Sequence, residues 1–92
     1  MAEVVWVRET MRQIEGIRAY TAVFDPESAD RLAERLFTAG NSLEHFPNRG
    51  RLGKDGIREL PTIRPYIIEY RVADVAVVIL RIRHGRRRPT ED

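Results

Sequence analysis

From Tyr66 to Arg83 the chain reads YIIEYRVADVAVVILRIR, two apolar stretches rich in Val and Ile and parted only by Ala73-Asp74. Such runs predict a β-hairpin with strands over 66–72 and 75–83 joined by a tight turn. Side chains alternate between the faces of a strand, so pairing Val72 with Val75 sorts all of them. One face takes Tyr66, Ile68, Tyr70, Val72, Val75, Val77 and Ile79. The other takes Ile67, Glu69, Arg71, Ala76, Val78, Leu80, Ile82 and His84. Both faces carry enough apolar surface to call for cover, and this requirement constrains the remaining residues.

Those residues supply one layer of helices. Val4 to Val7 reads as a short strand. Thr10-Met11-Arg12-Gln13 has the spacing of a capping box, which predicts a helix start. Met11, Ile14, Ile17 and Thr21 follow at helical spacing, with Arg12, Glu15 and Arg18 turned outward. A second helix is announced by Asp25 as cap, Pro26 at the first position and Glu27 in the first turn. Its inward stripe is Ala29, Leu32, Ala33, Leu36, Phe37, Gly40 and Leu43. The stretch 47–56, PNRGRLGKDG, reads as loop, and Ile57–Pro61 as a further strand. The order β-α-α-β-β-β predicts a single α+β domain over 1–92. In it the N-terminal strand joins a small, mainly antiparallel sheet, and the helical hairpin packs on one sheet face. The uninterrupted face, with Tyr70 and Val77, seats the helices. The second face is left without an element of its own and is expected to meet a partner, the alternative being that the 47–56 loop and the C-terminal tail fold over it.

Composition narrows the chemistry. A hydrophobic share of 42% with 33% charge is that of a globular domain. With no cysteine there is no disulfide, thiolate metal site or thiol nucleophile. The charged start and the lack of any apolar run near ~18 residues lead us to expect a cytoplasmic protein with no membrane partner. Residues 1–46 carry five basic and eight acidic side chains, residues 47–92 eleven basic and six acidic. This asymmetry points to an acidic partner. Its focus is RIRHGRRRP, where Arg81, Arg83, His84, Arg86 and Arg87 are the candidate contacts. Arg86 to Arg88 lie beyond Gly85, and the tail from about 86 is expected to be flexible, with plain solvation as the alternative for Arg87 and Arg88. No metal-ligand spacing, phosphate loop or nucleophile elbow is present, so no metal and no cofactor are expected. His45, near the end of the second helix, reads as capping. His84 stands in sequence among guanidiniums, where an imidazole would serve proton transfer in RNA cleavage; a strand-end histidine in a basic patch is the plainer reading.

Four segments taken together carry a resemblance. They are Leu43, Pro47 and Gly50-Arg51; Arg58-Glu59-Leu60; Tyr66 with Tyr70-Arg71-Val72; and Ile79-Leu80-Arg81-Ile82 with His84-Gly85-Arg86-Arg87. In register they resemble the RelE/ParE superfamily of bacterial toxins, whose element order is also the one read above. The resemblance implies the toxin half of a type II toxin–antitoxin pair. Its antitoxin wraps the toxin and folds on binding, and the contacts expected for it are Ile67, Val78, Leu80 and Ile82. RelE-like members cleave mRNA on the ribosome, whereas ParE-like members bind DNA gyrase and trap it on cut DNA. Here Tyr66 is followed by Ile67 rather than a basic residue, Leu60 stands where a basic residue is common, and nothing aromatic follows Tyr70. These departures favour the ParE-like branch, with no catalytic residue. Two alternatives stand beside it. One is a ribosome-dependent endoribonuclease using Arg58, His84 and Arg86; the other is a non-toxic binding module that acts only in complex formation and operon autoregulation.

Overall fold

The structure, a computed structural model, describes residues 2–85. The contacts expected of Arg86 and Arg87, and the flexibility expected of the tail, lie outside the described residues. Strand β1 (Glu3–Trp6) leads into α1 (Arg8–Phe24) and α2 (Pro26–Asn41), followed by a short 3₁₀ turn, Ser42–Glu44. Strands β2 (Arg51–Leu52), β3 (Ile57–Pro61), β4 (Tyr66–Ala73) and β5 (Ala76–His84) complete the chain. They form one five-stranded sheet in the order β1-β5-β4-β3-β2, with β1 parallel to β5 and every other pair antiparallel. The expected α+β architecture is therefore present, with β2 an addition inside the 47–56 segment. No helix among the described residues is long and apolar enough to cross a membrane.

The two helices cover one sheet face. Ile14 from α1 and Ala33 and Leu36 from α2 meet Ile68, Tyr70, Val77, Ile79 and Ile82 of the sheet. The hinge between the helices is Asp25 alone. Its carboxylate accepts from Ser28 N at 3.2 Å and Ser28 Oγ at 2.7 Å, which holds its pKa below the ordinary value and caps α2. The motif residues of the 43–50 stretch also have a physical role. The Tyr70 hydroxyl donates to Pro47 O at 2.8 Å and accepts from Gly50 N at 2.8 Å, clamping the loop to the covered face. A Cβ on Gly50 would lie 2.8 Å from that hydroxyl oxygen, so a side chain cannot be accommodated there without displacement.

The hairpin corrects the sequence reading in two places. The turn residues are Asp74 and Val75, and Val72 faces Val77. This shift of two preserves the face of each side chain but moves Val75 to the tip, where it is 74% exposed. Further along, Tyr70 pairs with Ile79 and Glu69 with Arg81, so β5 carries one extra residue, Leu80, as a bulge. One extra residue reverses the alternation beyond it. Ile82, 8% exposed, and His84 therefore join the helix-covered side, opposite Ile68 and Tyr66, while Arg81 and Arg83 turn to the open face.

The bulge explains the supposed capping box. Helix α1 begins at Arg8 with Val7 as a cap that makes no side-chain bond. Thr10 Oγ1 instead donates to Ile79 O at 3.1 Å, and Gln13 Oε1 accepts from Ile82 N at 2.7 Å. Both side chains thus satisfy backbone groups of β5 on either side of the extra residue. Gln13→Ala is expected to cost about 1–2 kcal/mol, because it strands a part-buried amide. The shift of the urea midpoint measures it; an unchanged midpoint would show that the bulge does not depend on α1.

Candidate functional site

The open sheet face is built by alternation from Glu3 and Val5 of β1, Ile57 and Glu59 of β3, Ile67, Glu69 and Arg71 of β4, and Ala76 and Val78 of β5. Beyond the bulge Arg81 and Arg83 join it. Arg51, Glu59, Glu69 and Arg81 stand in one row across β2 to β5. Two carboxylates side by side on neighbouring strands repel each other, and the neighbouring arginines resolve this. Arg83 Nε donates to Glu69 Oε2 at 2.7 Å, and its Nη2 lies 3.2 Å from Glu59 Oε2. Arg81 Nε donates to Glu69 Oε1, and Arg51 Nη2 to Glu59 Oε1 at 2.9 Å. Three guanidiniums thus enclose two glutamates, and Glu69 is only 2% exposed.

The hydrogen bond from Arg51, helped by the charge of Arg83, holds the Glu59 carboxyl below its ordinary pKa. A depressed folded pKa stabilises the fold above the unfolded value, and this contribution disappears as pH falls through the folded one. Glu59→Gln should therefore cost about 0.5–1 kcal/mol at neutral pH. The difference from the parent protein should begin to shrink as pH falls below the ordinary carboxyl value of 4.5 and vanish below the depressed folded value. Urea titrations at neutral and acid pH check this; a pH-independent difference contradicts the ion-pair origin.

Around the network the face is apolar in places. Ile57, Ile67 and Val78 are half-buried, and Val5 is exposed. Arg51, Ile57, Glu59, Ile67, Arg81 and Gly85 border a shallow concavity of about 710 Å3. Of the four contacts expected for an antitoxin, Ile67 and Val78 lie on this face, and Leu80 is half-buried at the bulge. Ile82 lies beneath the helices and is removed from the set. The face is consequently more charged than alternation without a bulge implies.

Of the endoribonuclease set, Arg86 lies outside the described residues, and Arg58 and His84 stand apart. Arg58 projects on the covered side, where its Nη1 donates to Gly50 O at 2.7 Å and Asn48 O at 3.3 Å. Its role is to hold the 47–50 loop. Arg58 pairs with Tyr70 and His84 with Tyr66, four residues apart on β4, a separation of about 13 Å along the strand. The His84 ring stands edge-on to Tyr66 with centroids 5.9 Å apart, on the side opposite Arg81 and Arg83. Among the described residues no group of three His, Asp or Glu could hold a metal ion. Sequence reasoning misses Glu59 and Glu69 as partners of the arginines. Their signal is one acid inside each of two mainly apolar strands, at the same parity as each other once β3 and β4 are paired.

Residues 4–89 match the family described as ParE toxin of type II toxin-antitoxin system, parDE. Toxin RelE2 of Caulobacter vibrioides is 47% identical over 87 residues, covering 95% of this chain and 99% of its own length. Toxin RelE3 of the same organism is 31% identical over 80 residues, covering 84% and 87%. A chain from the solved structure described as "Chromosomal ParDE TA system from P. aeruginosa" superposes with a TM-score of 0.82 at 25% identity, covering 91% of this chain and 96% of that one.

Proposed function

Since the chain belongs to the ParE toxin family of type II toxin–antitoxin systems, we propose that it acts by binding, with DNA gyrase as its target, and that a cognate antitoxin neutralises it by covering the open sheet face. The observation that carries this reading is the state of Arg58 and of the ion-paired arginines of the open face among the described residues. Arg51, Arg81 and Arg83 are each engaged by Glu59 or Glu69, and Arg58 is spent on backbone carbonyls. An RNA-cleaving site needs cationic donors aimed at an empty phosphate position with a base beside them. A face of ion-paired and aliphatic side chains is suited instead to a polypeptide. The antitoxin segment that fits it is amphipathic, with aliphatic groups over Ile57, Ile67 and Val78 and acidic groups at the outer donors of Arg51 and Arg81.

Purified protein added to gyrase and supercoiled or relaxed plasmid tests the target. Inhibited supercoiling with accumulation of cut DNA is the expected result. Unaffected gyrase at micromolar protein counts against it.

A second reading has one observation in its favour: the relatives at 47% and 31% identity carry the name RelE. It makes the protein a ribosome-dependent endoribonuclease and requires cuts at fixed codon positions that disappear in His84→Ala.

A further inference from the structure

We propose a second surface, the flank of α2 that faces the 62–66 loop, where Arg31, Arg35, Arg49 and Arg64 bind the phosphate backbone of a nucleic acid. Two adjoining concavities of about 320 and 490 Å3 meet there and share Arg35 and Ile63. Arg31 and Arg64 border the first, Arg49 the second. All four arginines are exposed. Their contacts differ in kind from those of the sheet face. Arg49 Nη1 donates to Ser42 Oγ at 2.9 Å and Arg31 Nη2 to Ser28 Oγ at 3.4 Å. A hydroxyl orients a guanidinium without cancelling its charge, whereas the carboxylates of Glu59 and Glu69 do both. Arg31 also meets the field of the Asp25 carboxylate, which holds the same Ser28, so Arg35, Arg49 and Arg64 carry most of the positive charge of the flank. Charge is also segregated on α2. Asp30, with Arg18 at 3.4 Å, belongs to the side facing α1, which leaves Glu34 as the one carboxylate bordering either concavity among the described residues.

The ligand class follows from what the flank has and lacks. Four exposed guanidiniums against one carboxylate, Glu34, with half-buried Leu32, Ala39, Ile63 and Tyr66 as the apolar lining between them, match a polyanion. Stable polypeptide docking calls for an apolar centre, whereas contacts to a nucleic-acid backbone are dominated by Arg and Lys on phosphate. The flank lies on the helix side of the molecule, away from the open sheet face, so cover of that face leaves it available. The inference therefore does not rest on gyrase as the target.

Fluorescence anisotropy of the full chain with a labelled duplex of roughly 20 base pairs, from about 50 to about 200 mM salt, tests it. Arg35→Gln/Arg64→Gln is expected to bind at least about 10-fold more weakly and to lower the salt slope by about 2, near 0.9 for each lost phosphate contact. Arg8→Gln/Arg12→Gln on α1 removes equal charge and should change affinity less than about 3-fold. A parallel titration with RNA of the same length tells which polymer is preferred; this dependence with either one supports the proposal. Equal losses in the two double variants, no binding by the parent protein, or binding lost in Arg86→Gln/Arg87→Gln/Arg88→Gln but kept in Arg35→Gln/Arg64→Gln would each overturn it. Arg8, Arg12, Arg35 and Arg64 are exposed, and an unchanged urea midpoint verifies the fold of each variant.

Discussion

Glu69→Ala is expected to lower the folding free energy by about 2–4 kcal/mol. Truncating one partner of a fully buried ion pair costs about 3–5 kcal/mol, because the other charge is left desolvated and unpaired. Here Arg83 is the desolvated partner, with its side chain 14% exposed, whereas Arg81 at 53% can return to water. The remaining pair to Glu59 further softens the loss for Arg83. The effect should thus fall below the upper limit but stay well above that of an exposed pair. Urea unfolding followed by the emission of Trp6, the one tryptophan, provides the measurement. Glu69→Ala/Arg83→Ala should recover at least about 1 kcal/mol relative to additivity, since the two side chains touch. A loss below about 1 kcal/mol for the single variant would mean that the network is a surface decoration.

The second large effect is steric. Gly40 on α2 faces β1, and a Cβ there would lie 2.5 Å from Cζ2 of Trp6 and 2.9 Å from Cδ1 of Ile79. The indole cannot easily yield. Its Nε1 donates to Asn41 Oδ1 at 2.8 Å, and its ring packs at 5.0 Å from that of Phe37. In an exposed helix interior, replacing glycine gains up to about 1 kcal/mol from propensity. At this site Gly40→Val must displace α2 from the sheet, and a cost of about 3 kcal/mol, the upper part of the overpacking range, is expected. A shifted Trp6 emission should accompany the lower urea midpoint. Unchanged or higher stability would mean that α2 is not seated on Trp6.

Much of this arrangement is legible in the order of the residues. The bounds Ile57–Pro61 follow from composition alone, and the α2 stripe of Ala29, Ala33, Leu36 and Gly40 is buried as its spacing requires. The bulge at Leu80 is hidden because Val77-Val78-Ile79-Leu80 is apolar at both parities, so nothing in that run marks an inserted residue. The clue lies just beyond it. Continuing the alternation places Arg81 and Arg83 beneath the helices and Ile82 outside, which is the wrong way round for charge and burial. Only an extra residue between Ile79 and Arg81 reconciles the two halves of β5. The Thr10 and Gln13 pair misleads for a related reason. The side chains that serve a capping box serve equally well for a broken ladder on a neighbouring strand, and local spacing does not distinguish the two. Strand β2 escapes notice because two paired residues between glycines leave no periodicity. The ion network escapes it because its members come from four strands and meet only through register.

If the open face, with its arginines engaged by Glu59 and Glu69, acts by binding as proposed, the protein should leave RNA intact. Primer extension on messages undergoing translation, with the purified protein added, examines this most directly. Full-length products, unchanged from the protein-free lane, are the result predicted. Cuts at fixed codon positions that vanish with His84→Ala would contradict it.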